Sequence, residues 1–146
     1  KVQIDRAIID KKGKLTNEEF EIIKTHTTAG EEMLIGLTGF EDEPLVNYAR
    51  QICRYHHERY DGKGYPDGLK GDEIPIAAQV VSVCDVYDAL ISERPYKRAY
   101  THDEAVKMIK NGECGVFNPV ILECFDECSD KFGEIIEREK KGEFGR

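Results

Sequence analysis

The stretch RYHHERYDGKGYPDGLKGDEIP, Arg54 to Pro75, joins a histidine pair to a loop holding four glycines and two prolines. The preceding DEPLVNYARQICRYHH reads as a helix, with Pro44 near a first helical position where its missing N–H does no harm. Leu45, Ala49, Ile52 and His56 fall on one face, and Val46, Ala49, Cys53 and His57 on the adjoining one. Both imidazoles therefore project towards the apolar side at the helix C-terminus. The glycine density of the loop predicts positive-φ turns or a close approach of backbone to another part of the chain.

The flanking segments are helical as well. TNEEFEIIKTHTTAGEEMLIGL opens with a capping box, Thr16 with Glu19 three residues on. Phe20, Ile23, Thr27, Gly30, Leu34 and Leu37 then recur at spacings of three and four, which predicts one long helix with His26 beside its apolar face. In PIAAQVVSVCDVYDALIS, Ile76, Val80, Val83, Tyr87 and Leu90 form a stripe that Ala77, Ala78, Val81, Val86, Ala89 and Ile91 extend most of the way round. A helix apolar on nearly every side is normally buried. Asp85, Asp88 and Ser92 nevertheless run along it at helical spacing, and a buried carboxylate requires a cation, a metal or hydrogen-bond donors. THDEAVKMIKNG carries a second capping box, Thr101 with Glu104, and a Gly112 stop; NPVILECFDECSDKF begins with an Asn118 cap and Pro119. Period-2 alternation is nearly absent. The expectation is an all-α helical bundle in one domain.

Composition narrows the partners. Among 146 residues the formal net charge is −8, which argues against a nucleic-acid polymer or an anionic membrane surface. A small anionic substrate remains compatible where metals or a few Arg and Lys concentrate positive charge. No apolar run reaches membrane-spanning length and no segment resembles a signal peptide, so membrane insertion is not expected. Five cysteines without a C-x-x-C pair fit a reducing cytoplasm better than a disulfide framework.

The chemistry gathers on four side chains. His26 from one helix, His56 and His57 from the next, and Asp85 from a third can converge, and neutral imidazole with carboxylate suits iron, manganese, zinc or nickel. His26 taken alone fits a packed core histidine better than a ligand.

HHERYDGKGYPDGLKGDEIP, with VCDVYDALISERPYKRAY downstream, closely resembles the HD-GYP family of bacterial signalling phosphodiesterases. DKKGKLTNEEFEIIKTH is similar to the segment that follows the family's His-Asp motif. The resemblance runs from Lys1 to about Phe132, which makes 1–132 the domain and 133–146 a charged tail. It implies a helical bundle of the HD superfamily with a two- or three-metal centre of iron, manganese or another divalent ion. The implied reaction is hydrolysis of cyclic di-GMP to pGpG and, in some members, GMP. By the same resemblance His26, His56, His57 and Asp85 match metal ligands, and Lys1 matches the lysine of the H-D-x-G-K segment, a candidate catalytic residue. Arg94 and Lys97 match phosphate-contacting residues. Gly64, Tyr65 and Pro66 form the GYP triplet, linked to substrate contacts, Tyr65 in particular, and to partner binding. Asp61 and Asp88 are expected to orient ligands or basic residues from behind, with a cap or turn contact as the alternative.

The family's His-Asp pair should lie just before Lys1. His102-Asp103, the one such dipeptide here, matches a capping segment and not the metal-site segment. Four ligands could hold one metal but not organise a complete bimetal centre, so the domain is expected to be truncated at its N-terminus and, alone, inactive or nearly so. Two readings follow. The chain is either the larger part of a cyclic di-GMP phosphodiesterase domain, joined upstream to a receiver or sensor domain, or a non-catalytic module binding a cyclic dinucleotide or a GGDEF-domain partner. Truncation is also expected to expose apolar surface that favours a homodimer.

Overall fold

Both capping boxes form. Thr16 Oγ1 accepts from Glu19 N–H at 3.2 Å while the Glu19 carboxylate accepts from Thr16 N–H at 2.7 Å. Thr101 and Glu104 repeat the arrangement at 3.2 and 2.8 Å. Each box satisfies N–H groups that the first helical turn leaves without intrahelical partners. The structure is a computed structural model that describes residues 4–40, 42–93, 98–140 and 142, with 139 and 140 described by backbone alone. Its elements are α1 (Arg6–Ile9), α2 (Asn17–Lys24), α3 (His26–Ile35), α4 (Pro44–Tyr55), a 3₁₀ turn (Gly71–Glu73), α5 (Ile76–Ile91), α6 (His102–Lys110) and α7 (Pro119–Lys140). No strand occurs among the described residues, and the fold is all-α.

The long helix expected over residues 16–37 is two helices, broken at Thr25. The cause is a run of side chains that compete for the local carbonyls. Thr25 Oγ1 donates to Ile22 O at 2.7 Å, Thr27 Oγ1 to Lys24 O at 2.9 Å, and His26 Nδ1 lies 2.6 Å from Ile23 O. The break makes His26 the first residue of α3.

α3 packs chiefly on α4. The helices come close at Gly30, where a Cβ would lie 3.4 Å from the Cβ and Sγ of Cys53. Gly30 stands one turn after His26, and Cys53 one turn before His56 and His57. An antiparallel pair with that point of approach brings the start of α3 to the end of α4.

The apolar core lies elsewhere. Val83, Tyr87 and Leu90 of α5, Ala105 and Ile109 of α6, Phe117 of the linker and Phe125 of α7 form one buried cluster. α5 is therefore not buried all round. Ala78, Gln79, Ser82, Val83, Tyr87 and Leu90 face inward, while Ile76, Val80, Asp85 and Asp88 are exposed. Apolarity around the helix predicted burial on every side, but α4 and the α6–α7 pair flank only part of its circumference. α7 runs unbroken to Lys140, so residues 133–140 continue a helix. No helix of the described residues is long and apolar enough to cross a membrane.

Candidate metal centre

α4 ends at Tyr55, with His56 as its C-cap. At this helix end the His56 ring turns back onto the last turn: its Nδ1 lies 2.8 Å from Ile52 O, which also accepts the His56 N–H, and 3.1 Å from Cys53 O. A carbonyl can only accept, so Nδ1 carries the proton and a neutral ring presents its lone pair at Nε2. His26 repeats the logic with Ile23 O. The two Nε2 atoms then face each other at 3.2 Å. Two lone pairs at that separation repel unless a proton or a cation lies between them.

His57 completes the group. Its ring centroid lies 5.0 Å from that of His26 and 4.1 Å from that of His56. Ligand nitrogens of the three histidines all lie within 4.8 Å of one another, the one such group of His, Cys, Asp or Glu among the described residues. Two imidazole nitrogens bound at about 2.1 Å to one tetrahedral or octahedral ion would sit roughly 3 to 3.4 Å apart. The observed 3.2 Å fits that spacing, and the backbone carbonyls behind both rings are the outer partners that metal-ligating histidines use. The donor set therefore fits a divalent transition metal.

The glycine-rich loop folds back on this end of α4. Gly64 packs on the Glu58–Arg59 backbone so closely that any Cβ would overlap it. Tyr65 N–H donates to His57 O at 3.3 Å, and the Tyr65 ring stacks on His57 at 4.8 Å with 30° between planes. The Tyr65–Pro66 bond is cis. Burial pushes the Tyr65 hydroxyl up to about 12. Gly62, Gly68 and Gly71 take positive φ, as the glycine density predicted.

Glu58 and Arg54 hold the loop in place. Glu58, 2% exposed, accepts from Asp67 N–H at 2.8 Å and Gly68 N–H at 3.0 Å through Oε1. Its Oε2 is buried without a hydrogen-bond partner among the described residues. Arg54 grips Asp67 with two donors, at 2.8 and 2.9 Å, and reaches Glu31 of α3 at 2.6 Å. The bond to Asp67, then that to Glu31, pushes the guanidinium pKa up, and Arg54 holds the Asp67 carboxyl below its ordinary range.

Arg59 ties the same segment to the other half of the molecule. Its guanidinium donates to Ser82 Oγ at 2.7 Å and Glu58 O at 3.1 Å and lies over the Phe117 ring. Burial lowers its pKa, with the charges of Tyr65 and Asp85 opposing that shift. Neither Glu58 nor Arg59 emerges from the sequence reading, because charges flanking a histidine pair look like a solvated helix end. The usable signal was their position, immediately before a loop with many unsatisfied N–H groups.

The remaining sequence candidates divide. Asp85 is exposed on α5, and its carboxylate is not among the groups within 4.8 Å of the histidines, although its charge reaches Tyr65 and Arg59. Asp61 accepts from Lys63 N–H at 3.1 Å and pairs with the Lys63 ammonium at 3.1 Å, a turn contact. Asp88 is exposed. His102 bonds Tyr87 Oη at 2.7 Å, in the core half of the fold. Lys1, Arg94 and Lys97 lie outside the described residues.

Comparison with known proteins agrees with this architecture. A family description reading "HD domain" matches residues 1–117. The chain is 39% identical over 140 residues to a cyclic di-GMP phosphodiesterase of Thermotoga maritima, covering 96% of the chain and 37% of that protein. It is 42% identical over 119 residues to the cyclic di-GMP phosphodiesterase response regulator RpfG of Xanthomonas campestris, covering 82% of the chain and 30% of that protein. It is also 35% identical over 132 residues to the 3'3'-cGAMP-specific phosphodiesterase 2 of Vibrio cholerae, covering 90% and 24% respectively. The chain thus spans about a third or less of the length of these curated relatives.

Proposed function

Because the chain belongs to the HD-GYP branch of the HD domain family, we propose that it forms part of a metal-dependent phosphodiesterase acting on cyclic di-GMP, with pGpG or GMP as product. In this reading His26, His56 and His57 hold a divalent ion, iron or manganese. Asp85, whose charge reaches the loop, is the fourth ligand candidate. The observation that carries the reading is the pair of facing Nε2 atoms at 3.2 Å, each made a lone-pair donor by a carbonyl on the other ring nitrogen. A divalent ion at such a site supplies Lewis acidity towards a phosphoryl oxygen and makes a water more acidic.

The chain's own residues do the rest. Main-chain carbonyls fix the His26 and His56 rings, and Tyr65 fixes His57 by stacking. The Glu58 and Arg54 contacts keep the GYP loop against α4, so that Tyr65 faces the histidines. Arg94 and Lys97 are proposed to grip phosphate, where Arg can offer two parallel donors, and Lys1 to act at the reacting group. The relative named as a response regulator supports a receiver domain upstream in the parent protein. A GGDEF-domain partner is proposed from the resemblance, a cytoplasmic setting from the scattered cysteines, and a homodimer from exposed apolar surface.

Anaerobic incubation with Mn²⁺ or Fe²⁺ and cyclic di-GMP, with products separated by chromatography, tests the proposal. Formation of pGpG, even if slow, that disappears in His57→Ala supports it. Nucleotide binding without product that needs neither the added metal nor His57 supports a non-catalytic module. Neither binding nor turnover contradicts both.

A further inference from the structure

We propose that Phe20 is a nucleobase-contacting residue, the outer end of a ring series along which one purine of a cyclic dinucleotide stacks. The inference rests on the phosphodiesterase reading above and adds a residue that reading does not use. Phe20 lies on α2, six residues before His26. Its periodicity placed it on the helix's apolar face, yet it is 43% exposed. The ring is nonetheless held in a defined place. Tyr65 meets it edge-to-face at 6.1 Å and 83°, and the Lys24 ammonium stands 4.9 Å from its centroid.

The neighbours make this position informative. Tyr65 stacks on His57 at 4.8 Å, so the rings of His57, Tyr65 and Phe20 lead outward from the three histidines in two contact steps. A nucleotide whose phosphate meets the histidines carries its base on the far side of a ribose, several bonds from the phosphate, and Phe20 is likewise set off from His57 by two ring contacts. Tyr65 already has His57, Phe20 and Lys24 against its ring. Phe20 keeps open ring surface. Lys24 is engaged by Glu21 at 2.7 Å, so its ammonium acts here as a support over the ring and not as an uncommitted phosphate-binding charge. Every base has a π face, so a single aromatic platform tolerates guanine and adenine alike and contributes affinity more than base choice.

Binding of cyclic di-GMP to the Mn²⁺-loaded full chain, measured by calorimetry for wild type, Phe20→Leu and Phe20→Trp, tests the assignment. Mn²⁺ affinity is measured in parallel. Phe20→Leu should weaken dinucleotide binding about tenfold, Phe20→Trp should restore it, and Mn²⁺ affinity should stay the same in all three. Equal dinucleotide affinity in wild type and Phe20→Leu overturns the assignment while leaving the site reading intact. Loss of Mn²⁺ together with dinucleotide in Phe20→Leu overturns it in favour of a folding role. No binding of the dinucleotide by wild type removes the phosphodiesterase reading itself.

Discussion

The two halves of the molecule are held together by different physics. From α5 onwards, seven residues of three helices and a linker form a buried apolar cluster. In α2, α3 and α4 one residue, Thr27, is buried, while Met33, Ile35, Leu45 and Tyr48 are exposed. That half is organised by directional contacts: the Glu31–Arg54–Asp67 bridge, the Glu58 grip on the loop, and imidazoles bound to helix-end carbonyls. Apolar burial is non-directional and tolerates small shifts, whereas hydrogen bonds and ion pairs fix angles. The candidate site lies where angles matter, and Arg59 links it to the half that supplies stability.

Truncation should expose this difference most strongly. Ile109→Ala, at a fully buried position, should lose about 2–5 kcal/mol of unfolding free energy in a denaturant titration. Met33→Ala, at an exposed position of the other half, should stay within about 0.5 kcal/mol of wild type. Comparable losses at both sites would remove the contrast.

Gly64→Ala should have the next largest effect. A methyl group there overlaps the Glu58–Arg59 backbone, so the loop must shift at a cost of about 1–3 kcal/mol. The shift should also part Tyr65 from His57, and limited proteolysis should cut the loop faster than in wild type. Unchanged proteolysis would mean that the close approach does not hold the loop.

The smallest expected effect separates ionic from apolar support by pH. Arg54 lowers the Asp67 pKa, so this contact stabilises the fold above the ordinary carboxylate range and fades as pH falls through the depressed value. Arg54→Met should therefore be less stable than wild type near neutral pH, and the gap should narrow in acid as Asp67 protonates. Denaturant midpoints at neutral and acidic pH read it directly. A gap that is independent of pH would assign Arg54 a packing role.

What was legible in the sequence follows the same division. Capping boxes, the Pro44 start and the histidine pair at a helix C-terminus are local patterns, and each stands where spacing placed it. The break at Thr25 was hidden because hydrophobic periodicity continues through it, while the hydroxyls that capture carbonyls leave no trace in the apolar pattern. Asp85 was read as buried because apolarity around α5 does not reveal which sides have a neighbour. Glu58 and Arg59 required knowing that the loop returns to its own starting helix, a tertiary fact.

The central claim is that His26, His56 and His57 form a divalent-metal site, and Mn²⁺ binding measured by anaerobic equilibrium dialysis tests it most directly. Wild type should retain the ion, His56→Ala should weaken binding by more than about tenfold, and His102→Ala, altered in the core half, should bind as wild type does. Absence of Mn²⁺ from wild type, or equal binding by wild type and His56→Ala, would contradict the account.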